Sequence, residues 1–571
     1  MAIMTRFFPF LAWPRITRAT LHADSVAGIT VALVLIPQSM AYAQLAGLPP
    51  HYGLYSAFLP CIVGALFGSS KQLSTGPVAV VSLLTGSALM PFAAMGNDVV
   101  VSLAIALSLL VGLTQLALGL FRLGVVVNFL SHPVIIGFTN AAALIIGLSQ
   151  LSKILGVKMG RSDHFAHDIW GVLLQMDRIH MPSLIFGVGS FAAMWILKKY
   201  LPKVPNILVA VGGCIAISYA VGFEAKLGGA VVGVIPQGLP HLVIPSLDSG
   251  MMHSLVGSAV VISLVGFMEA ISIAKAMATK TRDRLDPNQE LIGQGLANVC
   301  GCLTQSFPTS GSFSRSAVNI NAGALTGLSS AITSLVVLVT LLFLTPFLYH
   351  LPQPVLAAVI MMAVVGLIHF QAILHAWKAN KPDGAAAMLT FVATLWVAPH
   401  LDKGIMIGAI FSLVVYLYQV MRPRVAILGR FNDGTLRDTK VHPHLPTDDR
   451  IIAIRFDGQL FFANVSYFED TILSAVAAQP DASYVLVVGD GINRLDASGE
   501  EVVHHLVERL KKNGCTVVFS GLKKQVLDVM RRTGLFSLIG GDHNIFADEH
   551  MALTNIYQRM QDARHRPLLH G

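Results

Sequence analysis

Pro308-Thr309-Ser310-Gly311-Ser312-Phe313-Ser314-Arg315-Ser316 is a run of hydroxyl side chains, a glycine and an arginine inside a long apolar tract. Charged side chains and irregular polar backbone are costly inside a bilayer, so a stretch of this kind indicates a binding site. An earlier stretch, Ser74-Thr75-Gly76-Pro77-Val78-Ala79-Val80-Val81-Ser82, has the same hydroxyl–hydroxyl–glycine order and also opens an apolar run. These two stretches are the features around which the rest of the chain is interpreted.

Both stretches have the features of a helix N-terminus. Thr75 or Ser310 is expected to cap its helix, and Pro77 lies where a missing amide hydrogen costs nothing. The helix after Gly76 meets Met90-Pro91 after about 14 residues, or roughly 21 Å, which is short of a ~30 Å hydrocarbon core. Two short helices in matching places are typical of a transporter's central site, and facing N-termini would offer amide hydrogens and positive dipole ends to an anion. The alternative is two ordinary helix starts at the membrane surface.

The composition is that of a polytopic membrane protein. Of the 571 residues, 54% are hydrophobic and only 12% are charged, and the mean hydropathy is +0.66. Before residue 422 nearly every Lys and Arg lies at the end of an apolar run, so the net charge of +8 reflects membrane topology and not a nucleic-acid partner. The five cysteines do not have zinc-site spacing and are expected to be free thiols.

The apolar runs predict fourteen membrane spans in two similar halves, with basic residues on the inner side at almost every turn. Because each half has seven spans, an odd number, the second half must enter from the opposite side, which predicts an inverted repeat. The predicted divisions are a cytoplasmic N-terminal segment 1–23, a first repeat 24–223, a connecting segment 224–251, a second repeat 252–421 and a C-terminal domain 425–565.

The C-terminal domain changes in character to strands that alternate with helices, which predicts a small α/β sheet domain. Buried strands are expected at 451–454, 484–488 and 516–519, and helices at about 464–479, 498–512, 522–532 and 548–563. The domain lacks a glycine-rich phosphate loop followed by lysine, so nucleotide hydrolysis is not expected. We expect no enzymatic activity, no catalytic residues, no cofactor and no metal.

Three motifs in order resemble the sulfate permease (SulP) family of anion transporters: residues 37–43 (Pro-Gln-Ser-Met-Ala-Tyr-Ala), 76–82 and 307–319. The C-terminal part resembles the STAS domain of that family. The resemblance covers nearly the whole chain. It implies fourteen spans in a seven-plus-seven inverted repeat with core and gate bundles, a substrate held between the third and tenth segments, and a homodimer.

The resemblance also implies the site residues. The polar pair of the first segment is Gln38 and Tyr42. The implied residues of the third and tenth segments are Thr75, Gly76, Val78, Ala79, Ser310, Gly311, Ser312, Phe313, Ser314 and Arg315. Glu269, in Gly266-Phe267-Met268-Glu269-Ala270, resembles the proton-coupling carboxylate of sulfate symporters. A convincing set of sodium ligands is absent from the sequence, which favours protons over sodium.

One departure concerns the STAS-like domain. Related sporulation regulators carry Asp-Ser-Ser-Gly with the first serine phosphorylated, whereas this chain has Asp496-Ala497-Ser498-Gly499. Phosphorylation at that position is therefore excluded. Ser498 is expected to be a helix cap, and the domain is expected to serve mainly in protein contact or folding.

The sequence favours uptake of an inorganic oxyanion, sulfate before others, by proton symport across the inner (plasma) membrane, with both termini cytoplasmic. Bicarbonate or dicarboxylate uptake on the same scaffold is an alternative. A passive anion channel or exchanger, in which Glu269 only pairs with Arg315, is another. A membrane receptor that signals through its STAS-like domain is a third.

Overall fold

The structure is a computed structural model that describes residues 8–14, 16–124, 131–160, 162, 164–201, 204–245, 249–561 and 566–569. Parts of the predicted N-terminal segment 1–23 and the end of the predicted C-terminal domain therefore lie outside the described residues. The contacts divide the chain into two compact units, Met1–Ser412 and Leu413–Gly571.

The first half of the helical unit contains one strand and nine α-helices in the described residues. In chain order these are α1 Arg18–Leu45, α2 His51–Phe67, β1 Ser74–Gly76, α3 Ala79–Leu89, α4 Asn97–Leu120, α5 His132–Ser149, α6 Leu151–Leu155, α7 Phe165–Leu173, α8 Met181–Tyr200 and α9 Asn206–Val221.

The second half repeats this order from α10 onward. Its elements are α10 Ser249–Thr281, α11 Pro287–Leu303, β2 Ser310–Ser312, α12 Phe313–Asn321, α13 Leu328–Val339, α14 Thr345–Leu348, α15 Gln353–Val365, α16 Phe370–Ala379, α17 Lys381–Trp396 and α18 Leu401–Met421. In both halves two helices precede a three-residue strand, and a short helix follows it.

The helical membrane-type fold expected from the sequence is confirmed. Within the described residues, eight helices are long and apolar enough to cross a membrane, and α2, α3 with its extension, and α9 are shorter apolar helices. With α11, α12 and α17 they form an arrangement consistent with a fourteen-span inverted repeat. The two strands pair antiparallel, as segments related by an inverted repeat should.

The first membrane helix begins earlier than the apolar run suggested, at Arg18 instead of Asp24. Thr17 caps it by accepting a hydrogen bond from the Thr20 amide at 3.1 Å. Asp24 lies inside the helix and is fully buried, where its carboxylate accepts hydrogen bonds from the amides of Leu325 and Thr326. The apolar pattern could not reveal this start because the charge of Asp24 is satisfied by a distant part of the chain.

The C-terminal unit is an α/β domain, as predicted. Its strands are β3 Val425–Arg430, β4 Leu436–Asp438, β5 Ile451–Phe456, β6 Tyr484–Val488, β7 Thr516–Ser520 and β8 Ile545–Phe546. Its helices are α19 Val465–Ala478, α20 Ala497–Lys512, α21 Lys524–Thr533, α22 Leu535–Ile539 and α23 Glu549–Arg559. The strands form one sheet in the order β4-β3-β5-β6-β7-β8, with β5 to β8 parallel and β3 and β4 antiparallel.

Both faces of this sheet are covered, which is why its central strands are nearly continuous apolar runs. Along β5, Ile452 and Ile454 pack beneath α19, α20 and α21, whereas Ile451 and Ala453 pack against α23 on the other face. The expectation that Ser498 caps α20 is wrong. The cap is Asp496, which accepts a hydrogen bond from the Gly499 amide at 2.8 Å.

Candidate functional site

The two hydroxyl-rich stretches, residues 74–82 and 308–316, meet in the interior of the helical unit. Ser74 lies opposite Ser312, Thr75 opposite Gly311, and Gly76 opposite Ser310. All six strand residues are buried. Because β1 leads into α3 and β2 leads into α12, the antiparallel pairing brings the starts of two short helices together.

The caps of these helices differ from those expected from the sequence. Ser312, not Ser310, is the N-cap of α12, and its hydroxyl accepts from the Arg315 amide at 3.5 Å. Val78, not Thr75, precedes α3, and its side chain cannot cap. The first helical hydrogen bond of α3 runs from the Ser82 amide to the Val78 carbonyl, so the amides before Ser82 have no partner within the helix.

The hydroxyl groups of the two strands are occupied by the protein framework. Thr75 Oγ1 accepts a hydrogen bond from Gln294 at 2.9 Å. The Ser310 hydroxyl donates to the Gly266 carbonyl of α10 at 2.6 Å, and the Ser74 amide donates to the Ser316 hydroxyl at 2.9 Å. An incoming ligand would therefore meet the backbone amides and Arg315 before it met the hydroxyls of Thr75 and Ser310.

Arg315 has no exposed surface and crosses from α12 to β1. Its Nη1 donates to the Pro77 carbonyl at 2.8 Å, and its Nε donates to the Ser74 hydroxyl at 3.4 Å. Its Nη2 is buried without a hydrogen-bond partner. A buried guanidinium nitrogen that lacks an acceptor is costly. The described residues supply no acceptor for this nitrogen.

Two helices bring further polar groups to the strands. From α1, Gln38 and Tyr42 are buried, and Gln38 Oε1 has no hydrogen-bond partner. From α10, Glu269 presents a buried Oε2 that also has no partner. Tyr42, Glu269 and Arg315 lie close enough to interact electrostatically, yet no ion pair joins the described side chains of Glu269 and Arg315.

Two strand glycines lie close to neighbouring side chains. A Cβ on Gly76 would lie 3.3 Å from Arg315 Nη2, and a Cβ on Gly311 would lie 2.7 Å from Leu73 Cδ1. At the start of α12, in contrast, Phe313 is 59% exposed and Ser314 is also exposed. Val78 and Ala79 are buried at the start of α3. The site is thus closed around the strands and open beside Phe313.

Sequence reasoning missed the amides of α11 that hold the strands in place. Gln294 and Asn298 are buried, and they bond to Thr75 and Thr309 respectively. The available signal was the spacing of polar residues every four positions, at Glu290, Gln294 and Asn298, within a helix that is otherwise rich in small and apolar residues.

The arrangement is suited to reversible binding of an anion. Helix N-termini and a guanidinium supply positive potential, while one carboxylate stands nearby. Within the described residues no group of three or more His, Cys, Asp or Glu side chains is placed to hold a metal ion. All five cysteines are free, as expected from the sequence.

Comparisons with known proteins show the family and the fold of the chain. The profile of the Sulfate permease family matches residues 21–390, and that of the STAS domain matches residues 442–552. "Sulfate transporter 4.1, chloroplastic" from Arabidopsis thaliana is 35% identical over 576 aligned positions, covering 97% of this chain and 83% of the relative.

Two solved structures show the same fold. Murine Solute Carrier 26 family member A9, an anion transporter solved in the inward-facing state, superposes with a TM-score of 0.90 at 24% identity, covering 98% of this chain and 95% of its own. The transmembrane domain of the cyanobacterial bicarbonate transporter BicA superposes with a TM-score of 0.59 at 22% identity, covering 70% and 99%. The chain is a polytopic membrane protein that belongs to the sulfate permease family and carries a C-terminal STAS domain.

Proposed function

We propose that this protein is a secondary active transporter of an inorganic oxyanion, with sulfate as its substrate and a proton as its coupling ion. The observation that carries the proposal is the buried Nη2 of Arg315, which has no protein acceptor and lies where the starts of α3 and α12 meet. An oxyanion would supply the missing acceptor.

The donors of the site suit an oxyanion in chemistry and charge. A tetrahedral oxyanion offers several acceptor oxygens, and amide hydrogens at two helix starts can approach it from opposite sides. Relatives at 30% identity or more are sulfate transporters, the Arabidopsis protein among them, and they support sulfate as the substrate.

Glu269 is the proposed coupling group. Its Oε2 has no hydrogen-bond partner, and it makes no ion pair with Arg315 in the described structure. A fixed ion pair, the alternative role considered from the sequence, is therefore not supported. We infer that in the empty site the charge of Glu269 is balanced by Arg315 and the helix dipoles. An arriving dianion adds negative charge and draws a proton onto Glu269, which brings the loaded site closer to neutrality.

Movement of one helical bundle against the other would then expose the site to the opposite side. The basic residues at the helix ends support a cytoplasmic location for both termini and an inner (plasma) membrane setting. A homodimer is the proposed assembly, as the family resemblance implies.

The test is transport into sealed proteoliposomes that contain the purified full-length chain. With labelled sulfate outside, a proton gradient that is acidic outside should drive sulfate accumulation inside the liposomes. Unlabelled bicarbonate or a dicarboxylate should compete poorly with the labelled sulfate. Glu269→Gln mimics the protonated carboxyl, so this variant should still exchange sulfate for sulfate but should lose the accumulation driven by the gradient.

Three results would reject parts of this proposal. Accumulation by Glu269→Gln under the imposed gradient would remove Glu269 as the coupling residue. Stronger competition by bicarbonate or a dicarboxylate than by unlabelled sulfate would replace the substrate. Sulfate equilibration that never exceeds the outside concentration, with or without the gradient, would favour a passive channel or exchanger.

A further inference from the structure

One face of α11 carries three polar side chains at four-residue spacing, Glu290, Gln294 and Asn298, each with 1% exposure or less. They form a column along the helix because residues four apart lie on the same face. Buried polar side chains are usually hydrogen-bonded, and each of these three has partners, although Gln294 Oε1 has none among the described residues. Their partners show what the column, here called the α11 ladder, does in the fold.

Asn298 forms hydrogen bonds with Thr309, the residue that immediately precedes β2. Its Oδ1 accepts from the Thr309 amide at 2.8 Å and from the Thr309 hydroxyl at 3.1 Å, while its Nδ2 donates to the Thr309 carbonyl at 3.1 Å. The side-chain amide thus satisfies both backbone groups of Thr309, as a neighbouring strand would. Gln115 of α4 receives a further hydrogen bond from Asn298 Nδ2 at 3.1 Å and steadies the amide.

Gln294 contacts β1 through a side chain and not through the backbone. Its Nε2 donates to Thr75 Oγ1 at 2.9 Å and to Glu290 Oε1 at 3.3 Å. The other oxygen of Glu290 accepts from the amides of Ser69 and Ser70 at 2.9 and 3.0 Å. Glu290 therefore holds the segment that leads into β1, and Gln294, one turn further along the α11 ladder, holds β1 itself.

The spacing of the rungs fits the strand pair. Residues four apart on a helix are about 6 Å apart along its axis, and antiparallel strands lie about 4.8 Å apart. A three-residue pair makes too few ladder hydrogen bonds to set its own position, whereas α11 is a rigid element of 17 residues.

We propose that Gln294 and Asn298 are positioning residues for transport: by holding β1 and β2 from one helix, they aim the amides at the starts of α3 and α12, and with them Arg315, at a common anion. This inference rests on the proposed function, because it assigns a role to residues that do not themselves touch the anion.

A purely structural role would appear as lost stability alone. Gln289, on the same helix, provides the matched control. It is also buried, and its Nε2 donates to the Phe67 carbonyl at the end of α2 at 2.7 Å, away from both strands. Gln289→Leu removes one buried amide of α11 that bonds to neither β1 nor β2.

The experiment measures the affinity of the purified full-length protein for labelled sulfate, together with its melting temperature. Asn298→Leu and Gln294→Met should each weaken sulfate binding at least tenfold. Gln289→Leu should lower the melting temperature by a similar amount yet leave the affinity within twofold of wild type. In transport, the two positioning variants should raise KM more than they lower kcat.

The inference is overturned if a folded Asn298→Leu or Gln294→Met protein binds sulfate as wild type does, or if Gln289→Leu weakens binding equally. If Asn298→Leu does not fold, the sulfate affinity of Gln294→Met, which loses one hydrogen bond to β1, becomes the deciding measurement. Wild-type protein that binds no sulfate would instead reject the proposed function, so the two failures are distinguishable.

Discussion

The guanidinium of Arg315 is held by β1 on one side and left without an acceptor on the other. Its contacts with Ser74 and Pro77 fix the direction of the planar group, which a flexible lysine could not reproduce with the same geometry. The nitrogen without an acceptor, Nη2, is the one that we propose contacts a ligand oxygen. This geometry favours a direct contact over a purely long-range field.

Arg315→Ala should weaken sulfate affinity about tenfold or more, because about 1.4 kcal/mol of binding free energy corresponds to each factor of ten. Equilibrium binding to the purified variant measures the change. Arg315→Lys retains the charge but not the fork, so its affinity should fall between those of Arg315→Ala and wild type. Wild-type affinity in a folded Arg315→Ala protein would remove the residue from the site.

At this scale the sequence predicted the polar stretches and Arg315, because hydroxyl, glycine and arginine residues stand out in an apolar tract. It did not predict which groups were already occupied. Thr75 and Ser310 look like ligands in the sequence, but their hydroxyls are bonded to Gln294 and Gly266. Those partners lie more than 40 residues away or contribute only a backbone carbonyl, so no local pattern could reveal them.

Helix α11 crosses α4 at close distance, and this close crossing depends on small residues in both helices. A Cβ on Gly112 would lie 2.7 Å from the Val299 backbone nitrogen and 2.8 Å from the Gly295 carbonyl oxygen. A Cβ on Gly295 would lie 2.7 Å from the Leu116 nitrogen. Small residues let helix backbones approach closely within a membrane, and here they bring the α11 ladder within reach of Gln115.

Gly112→Ala should destabilise the protein by about 1–3 kcal/mol, because backbone atoms cannot yield as a side chain can. The melting temperature in detergent measures the loss. Gly257→Ala is the matched control, since a Cβ there meets nothing within 4 Å and the residue also lies in a long membrane helix, α10. An equal loss in both variants would show that the close crossing is not the cause.

The existence and order of the long helices followed from hydropathy, whereas several short elements did not. A three-residue strand such as β1 or β2 has no detectable period, and it forms only because its partner arrives from the other half of the chain. In the STAS domain the central strands were predicted from continuous apolar runs. The strands β3, β4 and β8 were not predicted. The two edge strands, β4 and β8, have only three and two residues, too few to show a period.

At the scale of the whole molecule, every proposed site residue belongs to the unit Met1–Ser412, and the STAS domain belongs to the other unit. The STAS domain has its own core on both faces of its sheet. Binding of the anion should therefore not require side chains from that domain.

Deleting Val425–Gly571 should lower folding yield or assembly but leave sulfate affinity within a few fold of the full-length value. Binding to the purified, monodisperse truncated protein tests this expectation. A truncated protein that is stably folded but binds no sulfate, when the full-length chain does, would show that the STAS domain contributes to the site.

The most direct test of the account places a negative charge where the anion is proposed to lie. Ser314 is exposed in the first turn of α12, so Ser314→Glu should interact favourably with the helix dipole and change stability by no more than about 1 kcal/mol. The carboxylate introduced at position 314 would accept hydrogen bonds from the backbone amides that we propose bind the substrate.

The measurement is labelled-sulfate binding to purified Ser314→Glu, with Ser314→Gln as a neutral control of the same size. We predict that Ser314→Glu loses sulfate binding at an unchanged melting temperature, while Ser314→Gln retains more of it. Sulfate binding by Ser314→Glu at the wild-type affinity would contradict an anion site at the paired starts of α3 and α12.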